Sequence, residues 1–265
     1  MNTDYHKQTA TEPCFPEIIW SQPEQAARRG KLAIIGGNAH GVSTVMNAYA
    51  QSQEAGIGSV QVVLPDSLRS VTGKILEQGT YAPRNPSGGF SKQALATMLD
   101  TAQWADGVLF SGDIGKNSET VILLERFAQE YNRLIAYAND AAEDILKHPE
   151  VIKAQGKSAL VLTIPQLQSY IKQLKLTRQV THDIGLSQLI PLVKEVSQTS
   201  GTILVILTEQ GIVAAYEGAV SFTETKEINS TKLAAYVSVW LIQQPEKPIE
   251  ALTAGIWQAI QKTNT

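Results

Sequence analysis

Four short segments hold the residues of this chain best suited to chemistry on a small molecule. The first is Ile35-Gly36-Gly37-Asn38-Ala39-His40-Gly41. Paired glycines allow a ligand to approach the backbone closely, and the exposed N–H groups favour anions. The second, Ser111-Gly112-Asp113-Ile114-Gly115-Lys116, joins two more glycines to a carboxylate and an ammonium. Lys116 is either a phosphate contact or a solvated surface lysine. The third is Ala138-Asn139-Asp140-Ala141, in which Asp140 reads as a general base, a metal contact or a helix cap. The fourth, Ile228-Asn229-Ser230-Thr231, opens an apolar helix whose positive end can receive an anion with or without glycine. It supplies an amide and two hydroxyls but no carboxylate.

Other chemistries find no support. The glycine spacing matches neither the lysine-bearing phosphate loop nor the dinucleotide fingerprint, and there is no GxSxG or HExxH motif. The four histidines are His6, His40, His148 and His182, and only His40 falls in a candidate turn. Adjacent residues do not orient one another as a triad requires, so Asp183 beside His182 reads as a cap for the next helix.

These segments need a frame, and the apolar pattern provides one. Lys31 to Gly36, Ser59 to Leu64, Gly107 to Phe110, Arg133 to Tyr137, Ser158 to Thr163 and Thr202 to Leu207 are short apolar runs typical of strands buried on both faces of a parallel sheet. Helical patterns alternate with them over Ser43 to Gln53, Lys92 to Gln103, Glu119 to Tyr131, Gln166 to Leu174 and Ser187 to Gln198. Ser118 or Asn117 is placed to cap the third of these. Gly211 to Tyr216 and Ala219 to Phe222, joined by Glu217-Gly218, predict a hairpin, and helices over Thr231 to Gln243 and Ile249 to Lys262 close the chain. Residues 1 to 24 form a polar, proline-bearing arm, residues 25 to 265 one α/β domain, and Gly79 to Ser91 one long loop. The first, second and third segments thereby fall at carboxyl ends of strands, where such sheets bind ligands.

With 265 residues and 43% hydrophobic content, the chain can bury a sizeable core without staples. Its 22 basic and 25 acidic residues leave a net charge of −3, which argues against nucleic acid and anionic membrane surfaces and for small-molecule partners. Cys14, the single cysteine, permits neither an internal disulfide nor a thiolate zinc site. With no signal-like or spanning apolar segment, the expectation is a cytoplasmic protein.

Taken in order, the turns resemble the ribokinase-like superfamily, in particular the ADP/ATP-dependent NAD(P)H-hydrate dehydratases, over about Lys31 to Ile260. Gly36-Gly37 is similar to that family's first GG turn, and Ser111 to Thr120 to its GPGLG turn and the xDxET that follows. Ala138 to Ala142 resembles its DADAL strand end, Leu162 to Gln168 its LTPHxxE segment, and Leu207 to Gly218 its hairpin. The resemblance implies a three-layer ribokinase-like fold with a mostly parallel sheet, a C-terminal β-hairpin and closing helices. It implies ATP or ADP, with Mg2+, near Gly112, Asp113, Gly115, Lys116, Thr208, Gln210, Gly211, Asn229, Ser230 and Thr231. It implies a substrate over Gly36, Gly37, Asn38, His40, Asn139 and Asp140, and a homo-oligomer.

The departures fall on the chemistry. The family's GxGD is Ile228-Asn229-Ser230-Thr231 here, Ala138 stands at the first acidic place of DADAL, and Pro165 and Gln168 replace its histidine and glutamate. Thr208 stands where the KG lysine belongs. Thr231 is neutral and cannot be the base, and losing a positioned base removes ~10²–10⁴ in rate. Three readings follow. The first is a nucleotide- or phosphometabolite-binding relative with catalysis lost or weakened. The second is an active kinase or dehydratase using Asp140 or Asp113 instead, and the third is an assembly protein whose turns are only structural and which uses its C-terminal helices. Leu233, Val237, Trp240 and Leu241 are expected to be core rather than interface.

Overall fold

The computed structural model describes residues 5–73, 76, 79–115, 118–178, 180–181, 183–225 and 229–262. In chain order the first elements are β1 (His6–Gln8), α1 (Pro16–Trp20), β2 (Lys31–Ile35), α2 (Ser43–Glu54), β3 (Ser59–Pro65), α3 (Arg69–Thr72) and β4 (Gly79–Ala82). Next come α4 (Ala94–Trp104), β5 (Gly107–Phe110), α5 (Ser118–Glu130), β6 (Leu134–Ala138), α6 (Asn139–Ile145), α7 (Pro149–Gln155), β7 (Ser158–Thr163) and α8 (Ile164–Gln173). The chain ends with α9 (Leu186–Ser200), β8 (Ile203–Thr208), β9 (Gly211–Tyr216), β10 (Ala219–Glu224), α10 (Ser230–Gln243) and α11 (Pro248–Gln261).

All the described strands form one sheet in the order β1-β10-β9-β8-β7-β6-β5-β2-β3-β4. Only β9 among them runs against the rest, pairing antiparallel with both β8 and β10. The chain starts the parallel part at β2, builds outward through β3 to β4, then returns to the other side of β2 with β5. That reversal puts the topological switch point of the sheet at the carboxyl ends of β2 and β5, the position at which open α/β sheets take ligands.

Successive strand residues point to opposite layers, which is why the strands read as unbroken apolar runs. Ala33 and Ile35 face the core under α4, α5, α8 and α9, while Leu32 and Ile34 face the core under α2, α10 and α11. Helix α10 has no solvent face: every residue from Leu233 to Leu241 is buried. Its Trp240 packs against Gly255 of α11 and donates its indole N–H to Gln258 Oε1 at 2.8 Å. Leu233, Val237, Trp240 and Leu241 are therefore core, as expected.

The hairpin, the closing helices and the six apolar strands occur where the sequence places them, and three features differ. Gly79–Ala82, expected as loop, pairs parallel with β3, because four residues at a sheet edge need no apolar alternation to be held. Residues 83–91 remain a loop, pinched by an Arg84–Phe90 bridge. Within the N-terminal arm, His6–Gln8 pairs with β10, and buried Gln8 donates to Thr223 Oγ1 at 2.7 Å and to the Thr253 carbonyl at 2.8 Å. Finally, α6 and α7, each 7 residues long, are too short to show a helical period in sequence.

The Tyr137 ring stacks on Phe110 with centroids 5.6 Å apart, and its hydroxyl is buried without a hydrogen-bond partner. Burial pushes that phenol well above the ordinary tyrosine pKa. Denaturant unfolding of two variants checks this packing. Trp240→Ala should cost ~3–5 kcal/mol, the range for deleting a buried large aromatic. Tyr137→Phe should be neutral or stabilising, because it removes an unpaired polar group without opening a cavity.

Candidate functional site

The first two turns meet at the switch point. Gly36 lies so close to β5 that a Cβ there would sit 2.0 Å from the Ser111 carbonyl oxygen, so a side chain at this position is excluded by packing alone. Gly37 (φ +86°) and Gly112 (φ +81°) adopt left-handed backbone that suits glycine. Asn38 is buried, its Oδ1 accepts the His40 N–H at 2.7 Å, and its backbone bridges Gly41. Ala39 N–H donates to the Gly88 carbonyl at 3.0 Å, which anchors the 83–91 loop over this turn. His40 itself is exposed at the rim. Asp113 turns inward on its own loop, Oδ1 accepting the Gly115 N–H at 2.8 Å. Lys116 and Asn117 lie outside the described residues, and Ser118 is already inside α5.

Asn139 is the centre of the site. It follows β6 with φ +59°, a left-handed conformation that costs a non-glycine residue energy and that asparagine tolerates best. Its Nδ2 donates to Ser230 Oγ at 3.3 Å and Thr231 Oγ1 at 3.2 Å, and Thr231 Oγ1 lies 3.4 Å from its Oδ1. From the other side, Gln166 Nε2 donates to the Asn139 carbonyl at 3.1 Å. Gln166 is fixed in turn by Thr163, whose N–H and hydroxyl both donate to Gln166 Oε1, at 2.9 and 3.2 Å.

At the start of α10, Asn229 is the N-cap, and its Oδ1 accepts from the N–H groups of Thr231 at 2.8 Å and Lys232 at 3.3 Å. Two of the donors expected to meet an anion are thus occupied by a side chain that has to turn aside first. Thr231 is buried and committed to Asn139. Lys232 lies over the Tyr236 ring, one turn along the helix, and burial lowers its pKa.

Two cap assignments made from sequence do not hold. Asp140 lies in the first turn of α6, whose N-cap is Ala138, because the chain enters that helix through the left-handed Asn139. Asp183 does not cap α9, which starts from Gly185. Asp183 instead lines a cleft of about 470 Å3 between α8, α9 and the end of β8, together with Thr163, Pro165, Leu189, Thr208 and Gln210. Thr208 organises the β8–β9 turn: its hydroxyl donates to the Gly211 carbonyl at 2.8 Å and accepts the N–H groups of Gln210 and Gly211 at 3.2 and 3.1 Å.

The expected site residues among those described therefore fall at three places along one sheet edge. Gly36, Gly37, Asn38, Gly112, Asp113 and Gly115 line the switch-point turns, while Asn139, Asp140, Asn229, Ser230 and Thr231 follow at β6. Thr208, Gln210 and Gly211 sit at β8, two strands on from β6, or roughly 10 Å at ~4.8 Å per strand. Gln166 is the positioning residue that the motifs miss, although Thr163-Ile164-Pro165-Gln166 has the spacing of a capping box.

Thermal unfolding of two variants tests the Asn139 link. Asn139→Ala loses the hydrogen bonds and keeps the strain, and should cost ~1–3 kcal/mol. Asn139→Gly loses the bonds but relieves the strain, so it should be the milder change.

Comparison with known proteins gives no matching family model and no matching curated sequence. Solved structures do match. A ribokinase-like superfamily protein from Enterococcus faecalis is 12% identical with a TM-score of 0.71, covering 98% of this chain and 88% of its own. A hypothetical protein from Streptococcus mutans is 13% identical with a TM-score of 0.67, over 91% and 84%. The ADP/ATP-dependent NAD(P)H-hydrate dehydratase of Bacillus subtilis, co-crystallised with ATP and Mg2+, is 12% identical with a TM-score of 0.62, over 91% and 84%. At these identities the likeness is one of architecture, and the architecture of this chain is the ribokinase-like α/β fold.

Proposed function

We propose that this chain binds a nucleotide or phosphorylated metabolite along the carboxyl edge of its sheet, with the catalysis of its structural relatives lost or weakened. The observation that carries this reading is the neutral Asn139–Thr231 pair at the start of α10, where the resemblance calls for a carboxylate. Neither side chain can take a proton from a substrate hydroxyl at neutral pH.

The donors present fit a phosphate: the Ser230 and Thr231 hydroxyls, the Asn139 amide and, once Asn229 swings aside, the first N–H groups of α10. They fit Mg2+ less well. Among the described residues no three acidic, histidine or cysteine side chains cluster to hold a metal, and Asp113 is engaged by its own turn. A magnesium ion here would arrive on the phosphates of its nucleotide and keep much of its water. Small-molecule binding also accords with the structural neighbours, among them a dehydratase co-crystallised with ATP and Mg2+.

A second reading keeps catalysis and moves the acid or base to Asp140, which follows strained Asn139 at the same edge and is partly buried. The apolar residues of α10 are enclosed within the chain, which gives the assembly reading no exposed apolar face on that helix. By the resemblance we propose a homo-oligomer and by the composition a cytoplasmic location; no described helix is long and apolar enough to cross a membrane.

Thermal shift with ATP or ADP, with and without Mg2+, tests binding. At a hundredfold excess over Kd, a ligand adds ~2.7 kcal/mol, or roughly 5–10 °C in a protein of this size. No shift with any nucleotide overturns the proposal. ADP release or restored NADH absorbance with hydrated NADH overturns the loss of catalysis; Asp140→Asn should then abolish it. Thr231→Asp should raise turnover from nothing if a missing acid is the whole defect.

A further inference from the structure

Residues 83–91 reach from one glycine turn to the other at the switch point, and their centre is a buried amide. Asn85 is 4% exposed. Its Oδ1 accepts the Ser87 N–H at 3.0 Å, the Ser87 hydroxyl at 2.9 Å and the Gly89 N–H at 3.1 Å, while its Nδ2 donates to the Phe90 carbonyl at 3.0 Å. The backbone closes the same ring: Asn85 N–H donates to the Gly89 carbonyl at 2.9 Å, and Gly88 N–H to the Asn85 carbonyl at 3.0 Å. A buried amide engaged at both ends fixes its surroundings, because leaving either end unpaired is costly.

The two glycines that Asn85 holds face different turns. The Gly88 carbonyl accepts the Ala39 N–H at 3.0 Å and the Ser67 hydroxyl at 2.8 Å. Gly88 has φ +83°, and a Cβ on it would overlap the Ala39 side chain. Gly89 packs on the other turn, where a Cβ would stand 3.0 Å from the Ile114 carbonyl oxygen and 3.4 Å from Gly115 Cα. Phe90 and Ile114 are buried in the same core, so the loop and the second turn share an anchor. Backbone this close transmits a displacement of residues 88 and 89 to both turns.

We propose that Asn85 is a positioning residue for the switch-point half of the site, setting the separation of turns 36–41 and 112–115 through Gly88 and Gly89 rather than by touching a ligand. The proposal rests on the binding reading above. It makes this half of the edge preformed, whereas the α10 half has to rearrange around Asn229.

Three variants of the full chain test it. Asn85→Ala removes the side-chain bonds, Gly89→Ala presses a methyl on the Ile114 carbonyl, and Ile152→Ala empties a buried position on α7 as a destabilised control. In hydrogen exchange without nucleotide, Asn85→Ala should speed exchange at both 38–41 and 112–115 and leave 229–233 unchanged, and Gly89→Ala should alter exchange at 112–115. In calorimetric titration with Mg2+-ATP, Asn85→Ala should weaken binding about tenfold while Ile152→Ala leaves Kd unchanged. Faster exchange confined to 83–91, wild-type affinity in Asn85→Ala, or an equal loss of affinity in Ile152→Ala would each overturn the proposal. Should Asn85→Ala fail to fold, unaltered exchange at 112–115 in Gly89→Ala overturns it equally. A wild-type chain that binds no nucleotide overturns the proposed function instead, and the exchange measurements still decide whether Asn85 couples the two turns.

Discussion

The hydrogen bonds from the Asn139 side chain to the Ser230 and Thr231 hydroxyls join the sheet to the start of a helix with no solvent face. Helix α10 packs on β5, β6 and β7 beneath it, on α2 beside it and on α11 above, so its direction is fixed by one of the two cores. Its N-terminus, by contrast, emerges at the carboxyl edge and needs a partner there. Asn139 supplies one by accepting a left-handed backbone, and Gln166 holds the Asn139 carbonyl from α8. Strand ends at β6 and β7 and the helix start are thereby set in one arrangement, and that arrangement shapes the edge where a ligand would lie.

The central strands are legible because parallel strands covered on both faces must be apolar throughout, whereas their order in the sheet is not read from the sequence. The all-buried α10 is legible for the same reason. Edges and short pieces are not. Gly79–Ala82 is held by backbone pairing to β3 and His6–Gln8 by pairing to β10, and neither needs a patterned side chain. Asp140 and Asp183 look like caps because aspartate usually is one, yet the backbone reaches their helices through Asn139 and Gly185. The site is half legible. Glycine turns at strand ends announce themselves, whereas the Asn139–Thr231 contact joins residues 92 positions apart and depends on a φ that sequence does not reveal.

The chemistry of that edge is one of neutral donors. The hydroxyls and amides that meet there can donate to a phosphate under the proposed function but cannot move a proton, and the nearby carboxylates are either tied to a turn or set one residue further on. Asn229 adds a further constraint. Its side chain occupies two amide donors of the helix start, and a ligand bound as proposed would replace those bonds before gaining its own. Modest affinity and a local rearrangement at residues 229–232 follow together.

Hydrogen exchange with and without Mg2+-ATP reads that rearrangement directly, because the amides of Thr231 and Lys232 pass from Asn229 to the ligand while the core of α10 stays buried. The account predicts altered exchange at 229–233, with added protection at 111–115 and 139–140, and no change at the opposite end of the sheet. Unchanged exchange at the start of α10 under saturating nucleotide, or change confined to other surfaces, would contradict it.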